Sequence, residues 1–119
     1  MKIRVEYDGH KWFISPDPAI VSIGTPIEWE FVTRGAPFPQ MRWTVYFKLS
    51  PFGIAGSRFS VTTFRTGPPS APHGVINHQG TVGPVAPVQA GDYKYGVKVE
   101  DPTTNQPLGD DDPRLIVQP

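Results

Sequence analysis

Three imidazoles, one pair of glutamates and a run of aspartates are the residues through which this chain could do chemistry. His10, His73 and His78 are its only histidines. His73 and His78 are five apart, so on an extended strand they point to opposite faces, whereas a histidine metal site needs convergent ligands. They read as surface or loop residues. Glu28 and Glu30 share a strand face at roughly 6–7 Å, a separation that can serve an inverting glycosidase. Trp29 between them takes the core side, so the pair belongs to an outer face. Cross-strand pairing with Arg42, Lys48, Lys94 or Lys98 is their simpler role. Asp110, Asp111 and Asp112, with Glu100 and Asp101, offer oxygen ligands for a hard cation. The alternating spacing of a calcium loop is missing, so this stretch reads as a solvated loop or a contact for a basic partner. Ser57 in Ala55-Gly56-Ser57-Arg58 lacks the second glycine of a nucleophile elbow. No glycine-rich phosphate loop occurs. The expectation is no enzyme, no catalytic residue, no cofactor and no metal.

The elements that must position these residues are strands. The 119 residues include 20 Val and Ile against 3 Leu and 6 Ala, a balance that favours β-structure over a helical bundle. Period-two alternation marks Ile3, Val5 and Tyr7; Ile27, Trp29 and Phe31; Met41, Trp43, Val45, Phe47 and Leu49; and Tyr93, Tyr95, Val97 and Val99 as inward-facing sets. Residues 11–14, 19–23, 58–64 and 114–118 are shorter candidates. Pro and Gly punctuate the gaps. Residues 66–90, with 4 Gly and 5 Pro, read as a long loop holding one or two short edge strands, because Pro cannot donate to a central ladder. The predicted architecture is all-β: one domain over residues 1–119, an antiparallel Greek-key β-sandwich of about eight strands.

Charge and composition exclude several function classes. Lys+Arg and Asp+Glu are 11 each, so the net charge is zero, which argues against nucleic acid as a partner. There is no cysteine, hence no disulfide and no thiolate metal site. No apolar run is long enough for membrane insertion as a helix. Lys2, Arg4, Glu6 and Asp8 interrupt the first residues, so they do not form a secretory signal. The expected location is cytoplasmic, with export after removal of a signal as the alternative.

Phe13, Pro16, Ile20, Val21, Ile23, Gly24, Ile27 and Trp29 follow the order of the opening half of cupredoxins. Gly91-Asp92-Tyr93-Lys94-Tyr95-Gly96-Val97 resembles the family's Gly-x-Tyr-x-Tyr-x-Cys run, and Asp112-Pro113-Arg114-Leu115-Ile116-Val117 resembles its last strand. The resemblance covers most of the chain, least in residues 50–90. It implies a cupredoxin-like sandwich, with an immunoglobulin-like sandwich as the alternative. It also implies that Trp43 stands where the first copper-binding His would be, Val97 where the Cys would be, and the second His near Glu100. No Met follows in residues 98–119. A blue-copper centre needs a thiolate and two imidazoles, so the resemblance implies the scaffold without the copper. Trp43 and Val97 then lie close together near one end of the sandwich as apolar filler.

Two loops look like contacts. Phe38 stands between Pro37 and Pro39, which lowers the entropy lost when a partner pins it. Phe52 and Ile54 lie between glycines near a predicted loop tip. Their alternative role is to plug the open ends of the sandwich. On the cupredoxin resemblance, residues 34–42 and 100–113 share one end, which places Phe38 beside Asp110, Asp111 and Asp112 as an apolar anchor with a charged rim. The expected function is a non-catalytic interaction module, a small structural or accessory subunit whose partner is another protein or a second copy. The alternative is a binder of a small ligand or a non-copper metal through the end loops.

Overall fold

The computed structural model describes residues 1–33, 40–53, 57–64 and 78–119, apart from the side chains of Phe64 and His78. Phe38, Ile54 and His73 lie outside the described residues. Eleven strands run through the described part: β1 Lys2–Tyr7, β2 Trp12–Ser15, β3 Ala19–Ser22, β4 Ile27–Thr33, β5 Gln40–Phe47, β6 Ser57–Phe64, β7 His78–Val85, β8 Gly91–Lys94, β9 Gly96–Glu100, β10 Pro107–Asp111 and β11 Arg114–Gln118. One layer has the order β2-β1-β4-β7. The other is built from β10-β9-β5-β6 and β3-β11-β8. Only Tyr95 separates β8 from β9, so these two sheets continue one another.

The alternating apolar residues supply the core. Ile3, Val5, Trp29, Phe31, Met41, Trp43, Val45, Val97, Val99 and Leu115 are fully buried, and their polar neighbours alternate outward as the pleat requires. The strand count exceeds the expected eight for local reasons. β7 forms within residues 66–90, Tyr95 divides the expected strand 93–99 into β8 and β9, and β10 is an added hairpin strand. The pairing is also not purely antiparallel: β1 runs parallel to β4 and β3 runs parallel to β11. Within residues 66–90, β7 is an eight-residue strand on a sheet edge. Pro84 is tolerated there beside a bulge opposite Ile27 and Trp29. Gly83 forms that bulge at φ +106, and a Cβ on it would come 2.6 Å from the Ile27 carbonyl.

Leu49 departs from its expected inward place. β5 ends at Phe47, and Leu49 is 74% exposed in the following turn. The Glu28/Glu30 pair faces outward as expected, but its cations differ. Because β1 rather than the second layer lies beside β4, Glu30 pairs with Lys2 at 3.4 Å and Arg4 at 3.3 Å.

Tyr46 of β5 stands opposite Gly96 of β9. A methyl group at residue 96 would overlap the Tyr46 ring, so the glycine lets the aromatic lie flat across the neighbouring strand. Gly96→Ala is expected to destabilise the protein by about 1–3 kcal/mol through overpacking. In a Tyr46→Ser background the same change should cost under about 0.5 kcal/mol, because the coupling partner is gone. Equilibrium urea unfolding of the four proteins in this cycle checks it.

Candidate functional site

Trp43 and Val97 lie on the same inner face. Trp43 of β5 pairs with Val99 of β9, Val97 pairs with Val45, and both side chains are fully buried. Trp43 and Val97 are therefore diagonal neighbours on one sheet. Glu100 does not join them. It is the register partner of Arg42, and the pleat turns both to the outer face. The inward residue opposite Trp43 is Val99, one position earlier, because β9 continues as a regular strand through this stretch.

The space around Trp43 is filled by rings. Phe31 of the facing layer stacks on it at 5.0 Å and 15°, and Trp12 meets it edge-on at 5.8 Å and 84°. Tyr7 packs against Trp12 at 4.7 Å. The Tyr7 hydroxyl lies 3.0 Å from the Gly9 carbonyl and 2.9 Å from the Leu108 carbonyl, tying β1 to the β9–β10 hairpin. Burial holds its pKa above the ordinary value, with help from the Asp8 charge. The Trp43 indole N–H is buried and finds no acceptor among the described residues. These groups do not fit a blue-copper ion, because no thiolate or imidazole is among them. Among the described residues no three His, Asp or Glu side chains converge as metal ligands.

A second aromatic group fills the other half of the core. Trp29 packs edge-on against Tyr95 at 6.0 Å, Phe47 at 6.2 Å and Phe52 at 6.4 Å, and stacks on Phe59 at 6.4 Å. Its indole donates to the Tyr95 hydroxyl at 3.3 Å. Burial drives the Tyr95 pKa far above the ordinary tyrosine value. Phe52, expected as a partner contact or as a plug, is half-buried against this group. Phe52 turns inward because three ring faces await it, and Ser50 fixes the turn by accepting the Phe52 N–H at 3.1 Å. The exposed large apolar side chains among the described residues are Leu49, Val88, Phe13, Ile20, Ile23 and Met1. The signal for Leu49 was its place just before Ser50-Pro51, where an ending strand frees the next side chain from alternation.

The aspartates expected in a loop lie partly in a strand. Asp110 and Asp111 belong to β10, opposite Lys98 and Val97, and Asp112 follows them. All three are exposed. They are held apart by the pleat, which turns Asp110 and Asp111 to opposite faces. The hairpin turn is built by Asp101, whose carboxylate accepts from the Thr103 N–H at 2.9 Å and the Thr104 hydroxyl at 3.0 Å. Arg42 clamps it from β5, donating to Glu100 at 2.9 Å and Asn105 at 2.6 Å. The Arg42 bond holds the Glu100 carboxyl below its ordinary value of 4.5, with smaller contributions from nearby cations. His10 is exposed in the β1–β2 turn, where its backbone N–H and that of Lys11 donate to Asp8 and lower the Asp8 pKa.

No family model matches the chain, and no curated protein matches it. Among solved structures it is similar to auracyanin A, a "blue" copper protein from the photosynthetic bacterium Chloroflexus aurantiacus. The identity is 16% and the TM-score 0.47, over 99% of this chain and 98% of that one. It is also similar to auracyanin B, at 12% identity and a TM-score of 0.45, over 99% and 88%. The copper named for auracyanin A is that protein's. On its own strand order and its own inner-face residues, this chain is an all-β sandwich, and it has no cysteine.

Two outcomes follow from this geometry. Trp43→Ala should cost about 3–5 kcal/mol. Trp43→Phe, which removes the unpartnered N–H and keeps a ring against Phe31, should cost less than half as much. Denaturant unfolding distinguishes them. The Glu100–Arg42 pair should also shape the acid limb of stability. Glu100 has a folded pKa below its unfolded one, so its contribution is complete above about pH 4.5 and is lost as pH falls through the folded value. Glu100→Gln should lose about 1–2 kcal/mol at pH 7 and flatten the decline below pH 4.5 in a melting-temperature series.

Proposed function

We propose that this chain is a non-catalytic interaction module, a small structural or accessory subunit that uses a cupredoxin-like scaffold without its metal. The observation that carries the reading is a set of exposed apolar residues on neighbouring turns. Leu49 is 74% exposed, Val88 61% and Ile23 44%. The turns that bear them are fastened together: the Val88 N–H donates to the Pro51 carbonyl at 2.7 Å, and the Gly24 N–H donates to the Pro87 carbonyl at 2.9 Å. Large aliphatic side chains held outward on a rigid base suit burial by another protein. Two further facts support the reading. The inner face at Trp43 and Val97 is packed rather than open. Glu30, a member of the one closely spaced glutamate pair, is engaged with Lys2 and Arg4 on an outer face.

The test is recovery of the tagged chain from its native host by cross-linking and mass spectrometry. The comparison is a Leu49→Asp, Val88→Asp variant. Both positions are exposed, so the variant should keep its melting temperature within a few degrees. The expected result is one stoichiometric partner, or a second copy, cross-linked beside these turns and lost from the variant. Recovery of wild type as a monomer with no partner overturns the proposal.

A further inference from the structure

The outer face of the β10-β9-β5-β6 sheet carries a feature that the interaction reading does not use. A cleft of about 300 Å³ is lined by Tyr46, Lys48, Lys94, Tyr95, Gly96 and Asp112. That volume lies at the lower end of the range for small-molecule pockets. Its floor is Gly96, whose missing side chain leaves room for the outer end of the Tyr46 ring, so the hydroxyl lies over the glycine inside the cleft. Lys48 and Lys94 stand at its walls. On the same ring, the Arg58 guanidinium and the Lys98 ammonium each lie 5.9 Å from the centroid.

The cations here outnumber their partners. Lys94 approaches Asp112 only to 3.9 Å, too far for a hydrogen bond. Lys98 lies 3.9 Å from Glu100, which is already committed to Arg42. Lys48 has no acidic partner among the described residues. Asp110 and Asp112 are the acids whose charge reaches Tyr46, against the opposing charge of Arg58, and together with burial they keep its hydroxyl protonated and able to donate. The lining thus supplies two lysines and a phenol as donors, with Asp112 the one acid among them. A phosphate monoester offers three terminal oxygens and two negative charges, so it can give each donor its own oxygen and match both ammonium charges, while a carboxylate carries a single charge. A nucleic-acid strand fits less well, because Asp110 and Asp112 beside the cleft would face its neighbouring phosphates.

We propose that the Tyr46–Lys48–Lys94 cleft is a binding site for a single phosphate group, carried by a small molecule or by a phosphorylated side chain. Asp112 acts there as an internal competitor that occupies Lys94 when the phosphate is absent.

The test is an amide NMR titration of the whole chain with inorganic phosphate at low ionic strength, with chloride at matched ionic strength as control. Saturable shifts centred on Lys48, Tyr95 and Gly96 are expected, and chloride should not reproduce them. Lys48→Gln with Lys94→Gln should weaken the affinity about tenfold or more. Asp112→Asn should strengthen it several-fold, a gain that misfolding cannot imitate. Lys2→Gln, in the other layer, should leave it unchanged. Glycerol phosphate and a short phosphoserine peptide then identify the source: whichever exceeds inorganic phosphate in affinity names the carrier. Shifts that never saturate, that chloride reproduces, or that survive the double lysine change would overturn the site. A Leu49→Gln, Val88→Gln variant, which adds no negative charge beside Lys48, should bind phosphate normally, so failure of the interaction reading and failure of this one are separable.

Discussion

The stacking of Phe31 on Trp43 is the contact on which the rest of the structure depends. It joins β4 of one layer to β5 of the other at 5.0 Å, near the middle of both strands. Burial of two such rings combines a large hydrophobic contribution with a preferred geometry, and it fixes the separation of the layers. Trp12 closes one side, and Tyr7 behind it reaches the hairpin through the Leu108 carbonyl. The cluster around Trp29 does the same for the other half of the core. Apolar and aromatic groups fill this interior, which leaves among the described residues no cluster of buried charged donors for an ion to neutralise.

After β9 the chain turns at Asp101 and returns as β10. Arg42 reaches from β5 to hold both Glu100 and the turn residue Asn105. This hairpin places Asp110 and Asp112 beside the cationic face around Tyr46.

Much of this was legible in the sequence, because a half-buried strand writes its register in every second residue. Ile3-Val5-Tyr7, Ile27-Trp29-Phe31 and Met41-Trp43-Val45-Phe47 all point inward as their spacing predicts. The outward placement of Glu28 and Glu30 was equally readable. What was not readable depends on which strands become neighbours. Glu30 found its cations on β1, a parallel partner that no local pattern announces. β10, with the sequence Pro-Leu-Gly-Asp-Asp, has no alternation of its own and exists because β9 offers it an edge. Phe52 sits between glycine and proline as a loop-tip contact would, and only the ring faces of Trp29, Phe47 and Phe59 make it a plug. The cleft at Tyr46 combines residues from β5, β8, β9 and the end of β10, so no contiguous motif could reveal it.

The central claim is that aromatic packing, and not a bound metal, completes the interior. The most direct measurement is the melting temperature of protein purified from its host without added metal, before and after exhaustive treatment with a strong chelator. An unchanged melting temperature and a reversible transition are the predicted result. A fall of several degrees on chelation, restored by adding back one equivalent of a metal ion, would contradict it, because only an ion bound to the native state stabilises in that way.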